Sequence, residues 1–347
     1  MPGRSAYVLR FDEIKEYLVR FDLESDKIVD DIPLPPDSGF QYFAADEQGS
    51  CFLAKTRNSS DFCEEIYHYD PQAKKLSRFI NLGEITGPSY LTLTHDKLIA
   101  VVFGSQALKS HVKGGLVFVS RQDPAAILAK LFIHEKTDSI YQATVKDSYF
   151  DGKNRLYLPT LYWENQGRDF GRGEIFVVNT DSMSVEKVIS VPKEYNNLSG
   201  VAVIGDKLYL ACLGKGERGP DGHIPLNDDL LVFSVQSGQL QKKVKVGAQP
   251  YKLIYDPSVD KLFIQHMNVG KVPDEIEVIS PRSDKIIGRI KVRDSRRVAL
   301  VAPGRLYASF GSYYTRPGLF IIDSKTDKII KRFNGDYRGI SEKSYVD

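Results

Sequence analysis

Two segments of the sequence combine aromatic rings with charged and amide side chains, a composition typical of a binding surface. The first holds the single tryptophan of the chain, and the second places two tyrosines side by side before an arginine. Aromatic faces give rigid contact area, and polar neighbours fix the orientation of a bound glycan, peptide or small molecule. The alternative is that the rings pack against their own loops. The candidate ligand-binding residues are Tyr162, Trp163, Glu164, Asn165, Arg168, Tyr313, Tyr314 and Arg316.

Three of the six histidines, His111, His223 and His266, lie on segments of the same kind. Together with Glu164 they could act as acid and base on a substrate, because histidine titrates near neutral pH. Their separations of 112 and 43 residues give no local metal-ligand spacing, and solvated surface histidines are the alternative. We therefore keep them as ligand-binding candidates, assign no catalytic residue and expect no metal site.

The run Gly214 to Gly219 (GKGERG) satisfies the glycine spacing of a dinucleotide-binding loop and follows an apolar strand. Such a loop must open a helix whose N-terminus meets the pyrophosphate. Here the chain continues into Pro220 and the turn Asp221-Gly222. We expect a surface loop and no cofactor.

Composition excludes several function classes. The 347 residues include 47 basic and 45 acidic side chains, and the net charge of +2 gives no electrostatic reason to expect a nucleic-acid partner. The sequence contains no run of 18 apolar residues, so we expect no membrane insertion. The sequence before the first strand pattern shows no export signal. The three cysteines form no C-x-x-C pair. We expect a single globular domain over residues 1–347 and a monomer.

The residues named above must be positioned by a repeat. A short apolar strand ends in Asp, Asn or Ser, a polar turn follows, and a second strand is rich in Lys and Ile or Val. These turns recur every 43 to 59 residues, the spacing of a four-stranded unit. The seven copies are Glu16 to Ile32, Glu65 to Ile80, Gly115 to Ile133, Glu174 to Val191, Leu230 to Val246, Glu275 to Ile290 and Leu319 to Phe333.

Two further strands precede the repeat in most units, separated by hairpin signals such as Asp151-Gly152. The main helical candidate is Pro124 to Phe132, in the third unit. Seven four-stranded units predict an all-β fold, a seven-bladed β-propeller. The first unit lacks its innermost strand, so we expect the tail Ile340 to Asp347 to pair with Ala6 to Phe11 in a composite blade that joins the N- and C-termini.

The repeat resembles the YVTN-type seven-bladed propeller. The closest match is Leu319 to Arg332 (LFIIDSKTDKIIKR), and Leu262 to Asn268 (LFIQHMN) and Thr56 to Asn58 approximate the other half of the motif. The resemblance implies the fold, and it implies an exported or surface binding module, with some related propellers acting as lyases or lactonases. It thereby places the protein outside the cytoplasm. A cytoplasmic location is the alternative, because no signal segment precedes the first strand.

In a propeller, the loops joining the second and third strands converge on one end of the central channel, here called the mouth. The candidate residues all fall on such loops. The sequence therefore predicts a binding propeller that recognises a glycan, peptide or small molecule at the mouth. The alternatives are a lyase or lactone hydrolase that uses the loop histidines and Glu164, and a structural module that displays its outer blade edges.

Overall fold

The computed structural model of the chain describes residues 5–12, 15–35, 39–46, 48–55, 65–82, 88–102, 115–123, 126–133, 140–145, 148–164, 169–216, 225–267, 275–312 and 315–343. These residues form seven antiparallel sheets arranged as a propeller, one sheet for each predicted unit. None of these residues belongs to a helix, so the described part of the chain offers no helix that could cross a membrane.

Blade 1 is assembled from both ends of the chain, as predicted. It consists, from the channel outward, of β29 (Asp336–Ile340), β1 (Ser5–Asp12), β2 (Lys15–Asp22) and β3 (Lys27–Pro33). Val8 pairs with Ile340 and Phe11 with Asp336. The C-terminal strand thereby closes the ring of blades.

Blades 2 to 4 follow in chain order. Blade 2 contains β4 (Phe40–Ala45), β5 (Cys51–Lys55), β6 (Glu65–Asp70) and β7 (Lys75–Asn81). Blade 3 contains β8 (Pro88–Leu93), β9 (Lys97–Val102), β10 (Gly115–Ser120) and β11 (Ile127–Phe132). Blade 4 contains β12 (Ile140–Val145), β13 (Tyr149–Phe150), β14 (Arg155–Glu164), β15 (Asp169–Asn179) and β16 (Ser184–Ser190), with β12 and β13 both paired to β14.

Blades 5 to 7 are regular four-stranded meanders. Blade 5 contains β17 (Tyr195–Ile204), β18 (Lys207–Lys215), β19 (Asp229–Ser234) and β20 (Leu240–Lys245). Blade 6 contains β21 (Pro250–Asp256), β22 (Lys261–His266), β23 (Glu275–Ser280) and β24 (Lys285–Lys291). Blade 7 contains β25 (Ser295–Ala302), β26 (Arg305–Ser312), β27 (Thr315–Asp323) and β28 (Lys328–Asn334).

Two details of the prediction are wrong. Residues 127–132 of the helical candidate form the outer strand β11, because pairing with the edge of β10 overrides their helix propensity. Pro124 and Ala125 lie outside the described residues. The inner strand of blade 1 ends at Ile340 rather than starting there. The chain turns at Gly335 directly after β28, and the next short strand, β30 (Glu342–Lys343), pairs in parallel with β4 of blade 2. Residues 344–347 lie outside the described residues.

The hydrophobic core is divided among the interfaces between blades. Seven clusters of buried apolar side chains lie one between each pair of neighbouring blades. Strands in the middle of a blade can therefore bury both faces, which explains why β9 and β19, a second and a third strand, read as continuous apolar runs. Outer strands such as β24 bury fewer residues and alternate.

The turns between the third and fourth strands share one backbone feature. In six blades a residue at the same position of the turn has a positive φ, and in blade 5 this residue is glycine. The other five are Asp26 (φ 52°), Lys74 (φ 49°), Met183 (φ 53°), Asp284 (φ 53°) and Asp327 (φ 58°). These turns lie at the end of the ring opposite the mouth.

Candidate functional site

The predicted aromatic segment of blade 4 forms the end of a long hairpin rather than a wide loop. The sequence treats residues 161–173 as a loop, but β14 continues to Glu164 and β15 begins at Asp169. Trp163 pairs with Gln142 on one side and Phe170 on the other. Tyrosine and tryptophan favour strands, and pairing on both sides extends the sheet toward the mouth.

In blade 7, strand pairing also extends up to the second aromatic segment. Ser312 pairs with Thr315, and Arg316 is exposed at the start of β27. The remaining predicted candidates lie outside the described residues, namely Asn165, Arg168, His111, His223, Tyr313 and Tyr314. Their role in binding stays a prediction of the sequence.

His266 ends strand β22 and is buried, with 3 % of its surface exposed. Its Nδ1 lies 2.9 Å from the carbonyl oxygen of Ala248, and its Nε2 lies 3.3 Å from Oε2 of Glu277, outside good hydrogen-bond geometry. Glu277 also accepts bonds from the Gly247 N–H (2.8 Å) and from Arg289 (3.2 Å). The ring is therefore directed into blade 6. Of the side chains His266, Glu277 and Arg289, only that of Arg289 is well exposed to solvent.

The electrostatics of this cluster favour the charged carboxylate. Burial alone would raise the pKa of Glu277, but the His266 ring, the Gly247 N–H and the Arg289 guanidinium outweigh burial and lower it. The cluster joins the connection between blades 5 and 6 to strands β22 and β23. We therefore assign the cluster of His266, Glu277 and Arg289 a structural role and call it the pin of blade 6.

A second charged cluster lies at the mouth end of blade 5. The Asp229 carboxylate is almost fully buried and receives Nζ of Lys215 at 2.5 Å, Nζ of Lys245 at 2.8 Å and the Tyr195 hydroxyl at 2.8 Å. Burial would raise the pKa of Asp229, yet these donors hold it well below its usual range. These bonds fix the facing ends of strands β18, β19 and β20.

The glycine run that resembles a nucleotide loop begins inside strand β18, which includes Gly214 and Lys215, and residues 217–219 lie outside the described residues. The Lys215 N–H donates to the Pro225 carbonyl, and Gly214 pairs with Leu226. The chain thus passes from β18 to β19 through a β-hairpin connection. In the described residues no helix follows that could meet a pyrophosphate.

The central channel contains a cavity of about 110 Å³ formed by the inner strands of six blades. Its lining includes four tyrosines, each from a different blade: Tyr42, Tyr90, Tyr149 and Tyr255. Aliphatic side chains such as Leu253, Leu300 and Ile340 fill the spaces between them. The channel cavity is smaller than the cavity of about 150 Å³ that accommodates benzene, so its volume is on the scale of one small ring at most.

Two of these phenols are strongly shielded from ionisation. Burial, with the negative charge of nearby aspartates, raises the pKa values of Tyr149 and Tyr255 to about 12. The Tyr255 hydroxyl lies 3.2 Å from Oδ1 of Asp260. At neutral pH both groups are uncharged hydroxyls that can donate and accept hydrogen bonds.

Arg297, in β25, enters this cavity from blade 7. Its guanidinium carbon lies 5.0 Å from the centre of the Tyr42 ring. The same side chain lines a second cavity of about 290 Å³, between blades 1 and 2 on the side of the mouth, with Phe11, Phe40 and Arg338. Arg297 therefore stands between two adjoining cavities.

The four tyrosines and Arg297 were not predicted from the sequence. Propeller ligands commonly bind on loops, whereas these residues lie in the inner strands. The available signal was a tyrosine in the innermost strand of a unit, as in FQYFAAD (40–46) and YKLIYDP (251–257).

Comparison with known proteins concerns the fold. No family model matches the chain, and no curated protein matches it. Among solved structures, a hypothetical selenium-binding protein from Sulfolobus tokodaii superposes with a TM-score of 0.70 at 12 % identity, over 99 % of this chain and 93 % of that one. The periplasmic gluconolactonase of Pseudomonas aeruginosa gives 0.62 at 13 % identity, over 98 % of both chains.

A third similar structure is the dihydro-heme d1 dehydrogenase NirN, with a TM-score of 0.60 at 12 % identity over 99 % of this chain and 76 % of that chain. These likenesses support the seven-bladed propeller fold. No family model supports the YVTN repeat type itself.

Proposed function

We propose that the protein is a binding propeller that holds a small molecule, or a single ring of a larger ligand, in the central channel below the mouth. The observation that carries the proposal is the cavity on the channel axis, to which six of the seven blades contribute. Ligand sites are typically concave and mostly apolar, with a few polar groups that fix orientation. Four tyrosines among aliphatic side chains match that description.

The residues predicted at the mouth fit the same proposal. Trp163 lies at the end of β14 in blade 4. The sequence predicts Tyr313 and Tyr314 on the mouth loop of blade 7, across the channel from blade 4. A glycan or peptide longer than one ring would contact these aromatics while its terminal ring occupies the cavity. Aromatic residues commonly dominate the affinity of such contacts.

The proposal is tested by a thermal-shift screen of oligosaccharides, short peptides and small organic molecules, followed by calorimetry on the strongest ligand. Tyr90→Ala removes a ring from the channel in blade 3. Phe132→Ala removes an exposed ring from the outer strand of the same blade and is the matched control. We expect at least a tenfold loss of affinity for the first variant and less than a twofold change for the second. Loss of binding in Phe132→Ala with none in Tyr90→Ala would favour the outer-edge module instead.

The enzyme alternative stays a prediction of the sequence, since its residues Glu164, His111 and His223 have no described side chains. The gluconolactonase and dehydrogenase among the similar structures are propellers named for activities of their own. Incubation of the protein with a panel of aldonolactones tests the hydrolase form. Turnover that vanishes in Glu164→Gln would replace the binding proposal with an enzymatic one.

A further inference from the structure

We infer that the ligand of the channel is an organic anion, a small ring bearing a carboxylate, and that Arg297 binds its carboxylate. This inference rests on the proposed function and names the ligand class. Among the described residues that line the channel cavity, Arg297 alone carries a charge. A lone cation in such a place calls for an explanation.

No carboxylate of the described residues pairs with Arg297. The other arginines of the same region are paired: Arg296 lies 2.8 Å from Asp336, Arg338 lies 2.7 Å from Asp336, and Arg289 lies 2.9 Å from Glu275. Arg297 instead lies over the face of the Tyr42 ring. A cation–π contact is worth about 0.5–2 kcal/mol and leaves the N–H groups of the guanidinium free to donate.

The chemistry of the free donors selects the ligand group. A guanidinium presents its N–H groups in a planar fork that matches a carboxylate in a bidentate pair. Withdrawing a charge from water is costly unless the charge is paired. An anionic ligand would supply that pair.

The walls select the rest of the ligand. Tyrosine faces and aliphatic side chains surround the space beside Arg297, so an apolar ring is buried favourably there. The neutral phenols of Tyr149 and Tyr255 add no negative charge that would oppose an anion. In the adjoining cavity the Arg338 guanidinium is already paired with Asp336 at 2.7 Å, and the Glu16 carboxylate accepts the Gly39 N–H at 3.2 Å. A substituent on the ring would extend into this larger cavity.

Benzoate is the probe, because it combines one ring with one carboxylate, and benzamide is its uncharged isostere. Binding of both is measured by calorimetry and by saturation-transfer NMR at low salt. We expect saturable benzoate binding that is at least tenfold tighter than benzamide binding. Arg297→Gln should weaken benzoate at least tenfold, and Arg297→Lys should retain an intermediate affinity, since it keeps the charge and loses the fork.

Arg282→Gln is the matched control. It removes one positive charge from an arginine whose side chain is 86 % exposed at the opposite end of the ring, and it should change benzoate affinity less than twofold. Melting temperatures verify that each variant is folded. The ratio of benzoate to benzamide affinity is measured on the unmodified protein and does not depend on any substitution.

The absence of saturable benzoate binding, equal binding of benzamide, or equal benzoate affinity in Arg297→Gln would each overturn the inference. A neutral ligand that needs Tyr90 but not Arg297 would overturn the anion assignment while leaving the channel-binding proposal intact. If no screened ligand binds in the channel, both the anion inference and the proposed channel-binding function are wrong.

Discussion

Lys261 in blade 6 reaches Asp327 in blade 7, with 2.8 Å between Nζ and Oδ2. The same ammonium donates to the carbonyl oxygens of Ser324 (2.9 Å) and Lys325 (3.0 Å) in the turn that contains Asp327. The contact recurs one blade earlier, where Lys207 of blade 5 lies 2.9 Å from Asp284 of blade 6. The basic residue at the start of the second strand thus latches one blade to the next.

The latch predicts a measurable contribution to stability. Lys261 is largely buried, so replacing it leaves two carbonyls and a carboxylate without their donor, and unmade bonds of this kind cost about 1–3 kcal/mol. We expect Lys261→Met to lower the melting temperature by several degrees. Lys328→Met, an exposed lysine beside the same turn, should change it by about a degree or less. Equal changes in melting temperature for the two substitutions would show that the contacts of Lys261 do not stabilise the protein.

The turn conformation predicts opposite effects at two adjacent lysines. Lys74 has φ 49°, a region that costs a residue with a side chain about 1–2 kcal/mol and costs glycine little. Its side chain is 70 % exposed, and its Nζ lies 3.8 Å from Oδ1 of Asp30. An exposed ion pair at this distance contributes little to stability. Lys74→Gly should therefore raise the unfolding midpoint in urea. Lys75→Gly, at the start of β7, should lower it, because glycine weakens a strand.

Closure of the ring predicts that two truncations differ. Removing residues 341–347 deletes β30 and the bonds of Ser341 to Tyr7, its N–H to the Tyr7 carbonyl (2.8 Å) and the Tyr7 N–H to its Oγ (3.0 Å). Removing residues 336–347 also deletes the inner strand β29. We expect a modest fall in melting temperature for the shorter deletion and a much larger fall for the longer one. Similar melting temperatures for the two truncated proteins would contradict a composite blade that is closed by the pairing of β29 with β1.

The buried pin of blade 6 predicts a pH dependence. The pKa of Glu277 is lowered from its ordinary value of 4.5, so its stabilising effect is complete above that value and is lost as the pH falls through the lower pKa of the folded state. Glu277→Gln should cost about 1–3 kcal/mol at pH 7, because the buried groups that face the carboxylate lose their charged acceptor.

The difference in melting temperature between Glu277→Gln and the unmodified protein should shrink below pH 4.5. Glu275→Gln, which faces the same Arg289 from a more exposed position, serves as the control and should cost less at pH 7. A difference that stays constant from pH 7 to pH 3 would show that the carboxylate charge is not the source of stability.

Most of the fold follows from local signals in the sequence. Hairpin turns and the period-two pattern repeat in every unit, and the missing strand of the first unit requires a partner from the C-terminus. The errors lie where pairing overrides local preference. Ile127–Phe132 is a helix by propensity and a strand by its neighbour, and the inner strand of blade 1 is shifted because Gly335 turns the chain earlier than the unit spacing indicates.

The candidate site was less predictable because its residues are far apart in sequence and meet only on the propeller axis. Tyr42 and Tyr255 look like ordinary strand tyrosines until six inner strands converge. His266 illustrates the converse case. It follows a strand as a loop ligand would, but its ring is directed to Ala248 and Glu277 inside the blade.

Strand β1 begins, and strand β30 ends, at the end of the ring opposite the mouth, since Ser5 pairs with Asp22 beside the outer turn of blade 1 and Lys343 pairs with Ala45 beside the turn of blade 2. A tether at either terminus would therefore hold the disc by its underside. Coupled in this way to a bead, a sensor chip or another polypeptide, every copy would present its channel opening outward in one common orientation.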